Sequence, residues 1–213
     1  MTEQIGIFGG TFDPIHYGHL RVAEEVREIL SLSEIIFLPS CIQPLKDADS
    51  TAEAGRRLGM VRAAVADNPC FKVDDCEISR GGESYTVDTL DSFRTSRSQA
   101  KLFFLMGSDA WMNITLWRDY MRLFELAEFV VMTRPGYEAA PPDSVLPLEA
   151  AERLCYDGQR YVHPSGGGVR FVPVTWLDIS GTVIRDRCRE AKSIKYLVPP
   201  AVEEYILREK LYV

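Results

Sequence analysis

Residues 9–19 of this 213-residue chain read Gly-Gly-Thr-Phe-Asp-Pro-Ile-His-Tyr-Gly-His, and this stretch decides the fold. The apolar run from Gln4 to Phe8 precedes it and predicts a buried strand. The segment from Gly18 to Leu30 follows it and predicts an amphipathic helix, and Glu34 to Pro39 predicts a second strand. A β-α-β unit with a glycine-rich turn therefore opens the chain.

Strand-like and helix-like apolar patterns continue to alternate to the end of the sequence, without an internal repeat. Helices are predicted at 52–66, 85–94, 180–190 and 200–210, and strands at 71–78, 101–106, 129–133 and 169–174. We therefore expect a single α/β domain over residues 1–213, a Rossmann-like, doubly wound parallel sheet with helices on both faces. The Pro- and Gly-rich segment 135–168 is interpreted as an insertion near the site.

The amino-acid composition of the chain indicates which kinds of binding partner to expect. The formal net charge of −7 argues against a nucleic-acid binder, which would carry a basic face. We find no secretory signal and no run of about 18 apolar residues, which predicts that the protein has no membrane partner. The five cysteines are scattered and form neither a C-x-x-C pair nor a zinc-ligand pattern, as is typical of reduced thiols in the cytoplasm.

The chemistry of residues 9–19 follows from their place between a strand and a helix. Glycines there let backbone N–H groups approach a phosphate chain. His16 and His19 are three residues apart, so one helix face presents both imidazoles to phosphate oxygens whose charge grows during transfer. The alternative is a glycine turn followed by histidines that only cap the helix.

The chain resembles the H-x-G-H nucleotidyltransferase superfamily and, within it, bacterial nicotinate-nucleotide adenylyltransferases. The resemblance covers nearly the full length, and the matching segments keep the family's order. Beyond residues 9–19 they are Pro44-x-Lys46, Ser84-Tyr85-Thr86, Gly107-Ser108-Asp109, Trp117, Arg134-Pro135-Gly136 and Ile179-Ser180-Gly181-Thr182-Val183-Ile184-Arg185.

The resemblance implies transfer of AMP from ATP to nicotinate mononucleotide, with Mg²⁺ delivered by ATP and no resident metal site. By the same resemblance, the catalytic residues would be His16, His19, Lys46 and Arg185. ATP would be bound by Gly9, Gly10, Thr11, Phe12, Gly107, Asp109, Arg134, Ser180 and Thr182. The mononucleotide would be bound by Tyr85, Thr86 and Trp117. The sequence is compatible with a homo-oligomer and does not fix the oligomeric state.

Simpler structural roles remain open for several of these residues. Ser108 or Asp109 could be a helix N-cap, and the Ser-Gly-Thr segment at 180–182 could be a capping pattern. Trp117 could belong to the core, and Lys46 could be a solvated surface charge.

Two positions depart from the family pattern. Leu45 stands where the family often has histidine, so a phosphate or ribose contact is in doubt. Gly181 replaces a second small residue such as Ser or Ala, and we expect this change to be mild.

Two rival functions are also retained. One is another adenylyl- or cytidylyltransferase of the superfamily, such as the phosphopantetheine-specific type, whose chains are typically shorter. The other is a nucleotide sensor without catalysis.

Overall fold

The computed structural model describes residues 2–44, 51–134, 136 and 139–213. Its centre is a sheet of eight strands in the order β3-β2-β1-β4-β5-β8-β7-β6. The strands are β1 (Gln4–Gly10), β2 (Glu34–Pro39), β3 (Phe71–Val73), β4 (Lys101–Gly107), β5 (Glu128–Thr133), β6 (Cys155–Tyr156), β7 (Tyr161–Val162) and β8 (Gly168–Pro173). Strands β1 to β5 and β8 pair in parallel, whereas β7 is antiparallel to both β6 and β8.

The helices connect and cover these strands. They are α1 (Tyr17–Ile29), α2 (Ala54–Val65), α3 (Cys76–Arg80), α4 (Thr86–Ser96), α5 (Ser108–Met112), α6 (Tyr120–Leu126), α7 (Pro142–Val145), α8 (Leu148–Ala151), α9 (Gly181–Arg189) and α10 (Pro200–Arg208). A 3₁₀ turn at Ile114–Leu116 separates α5 from α6. Within the described residues, no helix is both long and apolar enough to cross a bilayer.

The alternation of side chains along each strand produces two hydrophobic layers. In β4, Leu102, Phe104 and Met106 point to one face, where they join a core formed with α4, α5 and α6. Phe103 and Leu105 point to the other face, where the core is formed with α1, α2, α9 and α10. The predicted Rossmann-like sheet with helices on both faces is therefore confirmed.

The predicted strand at 71–78 is shorter in the structure. Strand β3 ends at Val73, and the residues from Cys76 to Arg80 form α3 instead. The reason is local, because the Asp74 carboxylate accepts a hydrogen bond from the backbone N–H of Cys76 at 2.8 Å and turns the chain away from β2. Helices α5 and α6 were not predicted, because each is too short to show a full helical period.

The insertion at 135–168 builds on the far edge of the sheet. Its β6–β7 hairpin extends the sheet beyond β8, and Leu146, Ala150 and Leu154 are buried against the α4–α6 layer. The indole N–H of Trp111 donates to the Ala140 carbonyl at 2.8 Å. The described part of the insertion thus shares the core of the sheet.

A single buried carboxylate ties this edge together. Glu128, at the start of β5, is 1% exposed and pairs with Lys101 Nζ at 2.8 Å, Arg170 Nε at 2.7 Å and the guanidinium of Arg160. Burial acts to raise the pKa of Glu128, but the hydrogen bonds from Lys101 and Arg170 outweigh it and hold the pKa below its ordinary value. Because Arg160 lies between β6 and β7, this ion cluster joins the insertion to the sheet.

We predict that Glu128→Gln lowers the free energy of unfolding by about 3 kcal/mol at pH 7, because it leaves three cations around a neutral amide. The low pKa means that the stabilisation is present above the carboxyl's unfolded pKa and is lost as the pH falls through its folded pKa. Urea denaturation at pH 7 measures the loss, with the exposed Glu125→Gln as the control. Equal stabilities of wild type and Glu128→Gln at pH 7 would contradict this role.

Candidate active site

The strand order reverses beside β1, and this reversal creates the candidate site. The chain leaves β1 toward β2 and β3 on one side and later returns to β4 on the other side. In such sheets ligands bind outside the carboxyl ends of the strands at the point of reversal. Gly9 and Gly10 end β1 at this point, and Gly107 ends the neighbouring β4.

A cavity of about 560 Å³ opens at this point. It brings together eight of the predicted site residues: Gly9, Gly10, Thr11, Tyr85, Thr86, Gly107, Asp109 and Trp117. None of the insertion's described residues, 136 and 139–168, is among those that line it. The structure thus brings predicted residues from four separate segments of the chain into one cavity.

The glycine that ends β4 lies close to the Asp109 side chain. A Cβ atom built on Gly107 would lie 2.5 Å from Asp109 Oδ1, so the glycine leaves room for this carboxylate. The N-cap of α5 is Gly107 itself, and Ser108 and Asp109 lie in the first turn. The proposed N-cap role for Ser108 or Asp109 is therefore wrong, and the exposed Asp109 carboxylate borders the cavity.

The two histidines of the opening motif form a stacked pair at the start of α1. Their ring centroids are 3.7 Å apart, with an angle of 27° between the planes. The backbone N–H of His16 donates to His19 Nδ1 at 3.3 Å. Since Nδ1 of His19 accepts a hydrogen bond, the proton of the neutral ring is on Nε2, which makes Nε2–H the donor of this side chain.

His16 differs from His19 in its burial. It is 7% exposed, and burial lowers its pKa to about 4, so the ring is neutral at neutral pH. Its Nδ1 atom has no hydrogen-bond partner among the described residues. Neither histidine lines the cavity. The ring of His19 lies 5.2 Å from that of Phe12, the residue that follows the cavity-lining Thr11.

Phe12 itself is buried and has a φ of 50°. An aromatic residue rarely adopts this left-handed conformation, and such strain is concentrated at functional turns. The ring of Phe12 packs between Phe8 and His19 and does not line the cavity.

Helix α4 and Trp117 border another part of the cavity. Trp117 is half-buried and packs edge-on against Phe104, with ring centroids 6.0 Å apart, so it both joins the core and lines the cavity. Tyr85 is the N-cap of α4, and Thr86 is its first residue. The Ser84 hydroxyl accepts from the Cys41 backbone N–H at 2.9 Å, which fixes this helix start against the end of β2.

Arg118 is a cavity residue that the sequence analysis missed. Its guanidinium lies 4.6 Å above the Tyr85 ring and 3.2 Å from the Asp88 carboxylate. It therefore places a cation beside Thr86 and Trp117. The only signal in the sequence was its position directly after Trp117.

Helix α9 contributes the second predicted phosphate site. The Ser180 hydroxyl caps the helix by accepting from the Val183 N–H at 3.2 Å, and Thr182 is exposed beside it. Arg185 donates from Nη2 to the Thr182 hydroxyl at 3.2 Å and from Nη1 to the Asp13 carbonyl at 2.6 Å. Its buried Nε–H has no partner among the described residues.

Gly181 has a packing role that the sequence did not predict. A Cβ atom built on it would lie 2.6 Å from the Asp13 carbonyl oxygen, so the glycine lets α9 approach the 9–19 loop closely. Serine or alanine at this position would require a shift of one of the two backbones.

The remaining predicted residues lie elsewhere. Arg134 is exposed and stacks on the ring of Trp176 at 4.0 Å, away from the cavity lining. Lys46, together with Leu45 and Pro135, falls outside the described residues.

The buried Arg57 of α2 was also missed, because an arginine in a helix ordinarily predicts an exposed side chain. It is 2% exposed, and its guanidinium donates to four backbone carbonyls at 2.7–2.9 Å. These carbonyls belong to Thr11, Ser40, Cys41 and Ala52. Arg57 therefore joins the loop after β1, the loop after β2 and the approach to α2 at one point beside the site.

Comparison with known proteins assigns this architecture. The model of a family described as cytidylyltransferase-like matches residues 7–187. The chain belongs to the cytidylyltransferase-like family. It is 43% identical over 211 residues to the probable nicotinate-nucleotide adenylyltransferase of Geotalea daltonii, with 98% of each chain covered. It is 44% identical to the protein of the same name from Syntrophotalea carbinolica, and this alignment covers 98% of this chain and 97% of that protein.

Two solved structures superimpose on nearly the whole chain. The nicotinic acid mononucleotide adenylyltransferase of Plasmodium falciparum complexed with NaAD superimposes with a TM-score of 0.73 at 20% identity. The alignment covers 99% of this chain and 97% of that one. The same Plasmodium protein complexed with APC gives a TM-score of 0.72 at 19% identity. At this identity the likeness supports the fold.

The burial of His16 gives a pH-dependent prediction. A histidine with a folded pKa near 4 and an unfolded pKa near 6.5 binds a proton on unfolding between these values, so its contribution to stability falls as the pH falls through this window. We therefore expect the stability difference between wild type and His16→Gln to shrink by about 2 kcal/mol between pH 7 and pH 5. Urea denaturation of both proteins at both pH values measures it. A pH-independent difference would show that His16 is not buried as a neutral ring.

Proposed function

We propose that this chain transfers the AMP group of ATP to nicotinate mononucleotide, forming nicotinate adenine dinucleotide and pyrophosphate. The observation that carries this proposal is that the Gly9-Gly10 turn, Asp109, Thr86 and Trp117 line one cavity. One end suits a nucleotide phosphate chain and the other suits a flat, charged ring. The relatives named probable nicotinate-nucleotide adenylyltransferases, at above 40% identity over nearly the whole chain, support it.

The proposed reaction is an in-line displacement. An oxygen of the mononucleotide phosphate attacks the α-phosphorus of ATP, the new P–O bond forms, and the bond to the β-phosphate oxygen breaks. Pyrophosphate leaves with the electron pair of the broken bond. The nucleophile is already an anion, so the protein needs no general base, and its contribution is alignment and stabilisation of charge.

The proposed roles follow from placement. His19 donates from Nε2 to an oxygen of the reacting phosphates, and the neutral imidazole of His16 is stacked on it. Gly9, Gly10, Thr11 and Phe12 offer backbone groups, while Ser180, Thr182 and Arg185 with the start of α9 attract the triphosphate. Lys46 adds positive charge, Asp109 and Arg134 bind the adenosine, and Tyr85, Thr86 and Trp117 bind the mononucleotide.

We propose that Mg²⁺ enters the site on ATP. Within the described residues, no three His, Cys, Asp or Glu side chains form a group that could hold a metal ion. This arrangement fits an ion that prefers phosphate oxygens and water to a dedicated set of protein ligands. When bound, Mg²⁺ would neutralise charge on the phosphates.

We further propose that the enzyme works in the cytoplasm, where its thiols stay reduced. The described cysteines form no disulfide. Its proposed partners are its two substrates, without nucleic acid or membrane.

The first test of the chemistry is His19→Ala. We expect turnover to fall by about 10²- to 10³-fold, the scale for loss of one donor to a transition-state charge. The melting temperature should fall only slightly, since the lost bond to the His16 N–H is a single cap. His163→Asn, on the far edge of the sheet, is the histidine control and should keep wild-type turnover. Near wild-type turnover of His19→Ala would exclude the proposed donor role.

The second test concerns the choice of substrate. We expect kcat/KM for nicotinate mononucleotide to exceed that for the amide by about 10- to 10⁴-fold, because one or two hydrogen bonds to a charged carboxylate are lost with the amide. The start of α4 at Thr86, with Arg118 beside it, provides the positive electrostatic environment.

Both mononucleotides are assayed at saturating ATP, with pyrophosphate release and product mass as readouts. Thr86→Val is the matched control, which removes the hydroxyl but keeps the backbone. A ratio near one, or a preference for the amide, would show that the carboxylate site is wrongly placed. No product with any pyridine mononucleotide would instead favour the sensor or another transferase of the family.

A further inference from the structure

The C-terminal segment of the chain reaches the loop that carries the opening motif. The hydroxyl of Tyr212, the second-last residue, donates to Asp13 Oδ1 at 2.6 Å. Burial and the contact with Asp13 raise the pKa of Tyr212 far above its ordinary value, so the hydroxyl keeps its proton and remains a donor. A residue 199 positions further along the chain thus donates a hydrogen bond to the Asp13 carboxylate.

The segment is held in this position by packing. Leu211 and Tyr212 pack against the hydrophobic core formed by α1, α2, α9 and α10. Arg56 of α2 forms an ion pair with Glu209, and the Tyr212 hydroxyl lies 3.9 Å from Met60 Sδ. The hydroxyl is therefore fixed relative to α2 rather than moving with a loose terminus.

Asp13 links this segment to the proposed triphosphate site. Its Oδ1 also accepts from the Ala52 N–H at 3.3 Å, and its Oδ2 lies 3.5 Å from Arg185 Nη1. The same Nη1 atom donates to the backbone carbonyl of Asp13 at 2.6 Å. Arg185 is therefore positioned by two oxygens of one residue, and Tyr212 determines the orientation of the carboxylate.

We propose that Tyr212 is a positioning residue for the triphosphate half of the site, acting through Asp13 on Arg185. The Tyr212 hydroxyl draws the Asp13 carboxylate toward the C-terminal segment. This leaves Arg185 bound mainly to the carbonyl of Asp13, with charge available for a phosphate. The inference rests on the proposed function, because it assigns Tyr212 a part in binding and aligning ATP.

Loss of the hydroxyl has a specific consequence. Without Tyr212 as a donor, the negative charge on Oδ1 keeps only the Ala52 N–H, and the carboxylate turns toward its nearest cation, Arg185. A full ion pair at this distance competes with phosphate for the guanidinium. The defect should therefore concern ATP rather than the mononucleotide, whose cavity residues lie outside this network.

The test is Tyr212→Phe, with Tyr205→Phe as the matched control. Tyr205 is on α10 in the same C-terminal region, and its hydroxyl packs against Gly59 rather than Asp13. We expect kcat/KM for ATP to fall about tenfold in Tyr212→Phe, the scale of one hydrogen bond to a charged group. The KM for nicotinate mononucleotide should stay within twofold of wild type, and Tyr205→Phe should retain wild-type kinetics.

A double-mutant cycle with Arg185→Lys shows whether Tyr212 acts through Arg185. In the Arg185→Lys background, Tyr212→Phe should change kcat/KM for ATP by less than twofold. All assays are run at 15 °C on protein shown to be folded by circular dichroism. If Tyr212→Phe is not folded even at 15 °C, the hydroxyl serves mainly the fold and the proposal is overturned.

Two further results would also overturn the proposal. One is a Tyr212→Phe enzyme with a lower melting temperature but wild-type kinetics per folded molecule. The other is an equal loss in the wild-type and Arg185→Lys backgrounds. An inactive wild type would instead refute the proposed function, so the two failures are distinguishable.

Discussion

The site depends on one constraint, the reversal of strand order at β1. Parallel strands joined through helices must be connected in one rotational sense, so chain segments on opposite sides of β1 cover opposite faces of the sheet. The crevice at the carboxyl end of β1 is what this topology leaves open. Because β4 borders β1 here, the two strands end side by side at Gly10 and Gly107. The two proposed substrates, each of which supplies one half of the dinucleotide, can meet at these strand ends.

The loops around this crevice are held by buried polar groups more than by regular structure. Arg57 satisfies four carbonyls of three loops, and Asp13 receives donors from the segment before α2, from α9 and from the C-terminal segment. Unpaired carbonyls and carboxylates are costly when buried, so each group fixes the geometry of its partners. A reaction that proceeds by alignment requires such fixed loops.

The proposed chemistry also explains the character of the residues. His16 is neutral because of its burial, and a backbone N–H orients the ring of His19, so that Nε2 is the donor of that side chain. Positive charge comes from separate groups, of which Arg185 is held by Asp13 and Arg118 is paired with Asp88. In the proposed mechanism, His19 donates a hydrogen bond and the arginines supply positive charge. No protein nucleophile is needed.

The sequence by itself determined the fold class, most of the element types and eight of the residues that line the cavity. Hydrophobic periodicity revealed the strands from Gln4 to Val174, and the order of the motifs placed Gly9, Gly107 and Thr86 at strand or helix ends. These are local properties, set by backbone sterics and by the period of apolar side chains. The early end of β3 at Val73 escaped prediction because the Asp74 turn competes with an apolar pattern of equal strength.

Only the tertiary structure decided which charged groups are buried and what they bind. Nothing local distinguishes Arg57 from an exposed helical arginine, and nothing near Tyr212 indicates that its hydroxyl meets Asp13. Such contacts join residues far apart in the chain, so their partners are fixed only when α2, α9 and α10 pack on the same face of the sheet. The sequence therefore specified the chemical groups of the site, while the packing of helices on the sheet specified their positions.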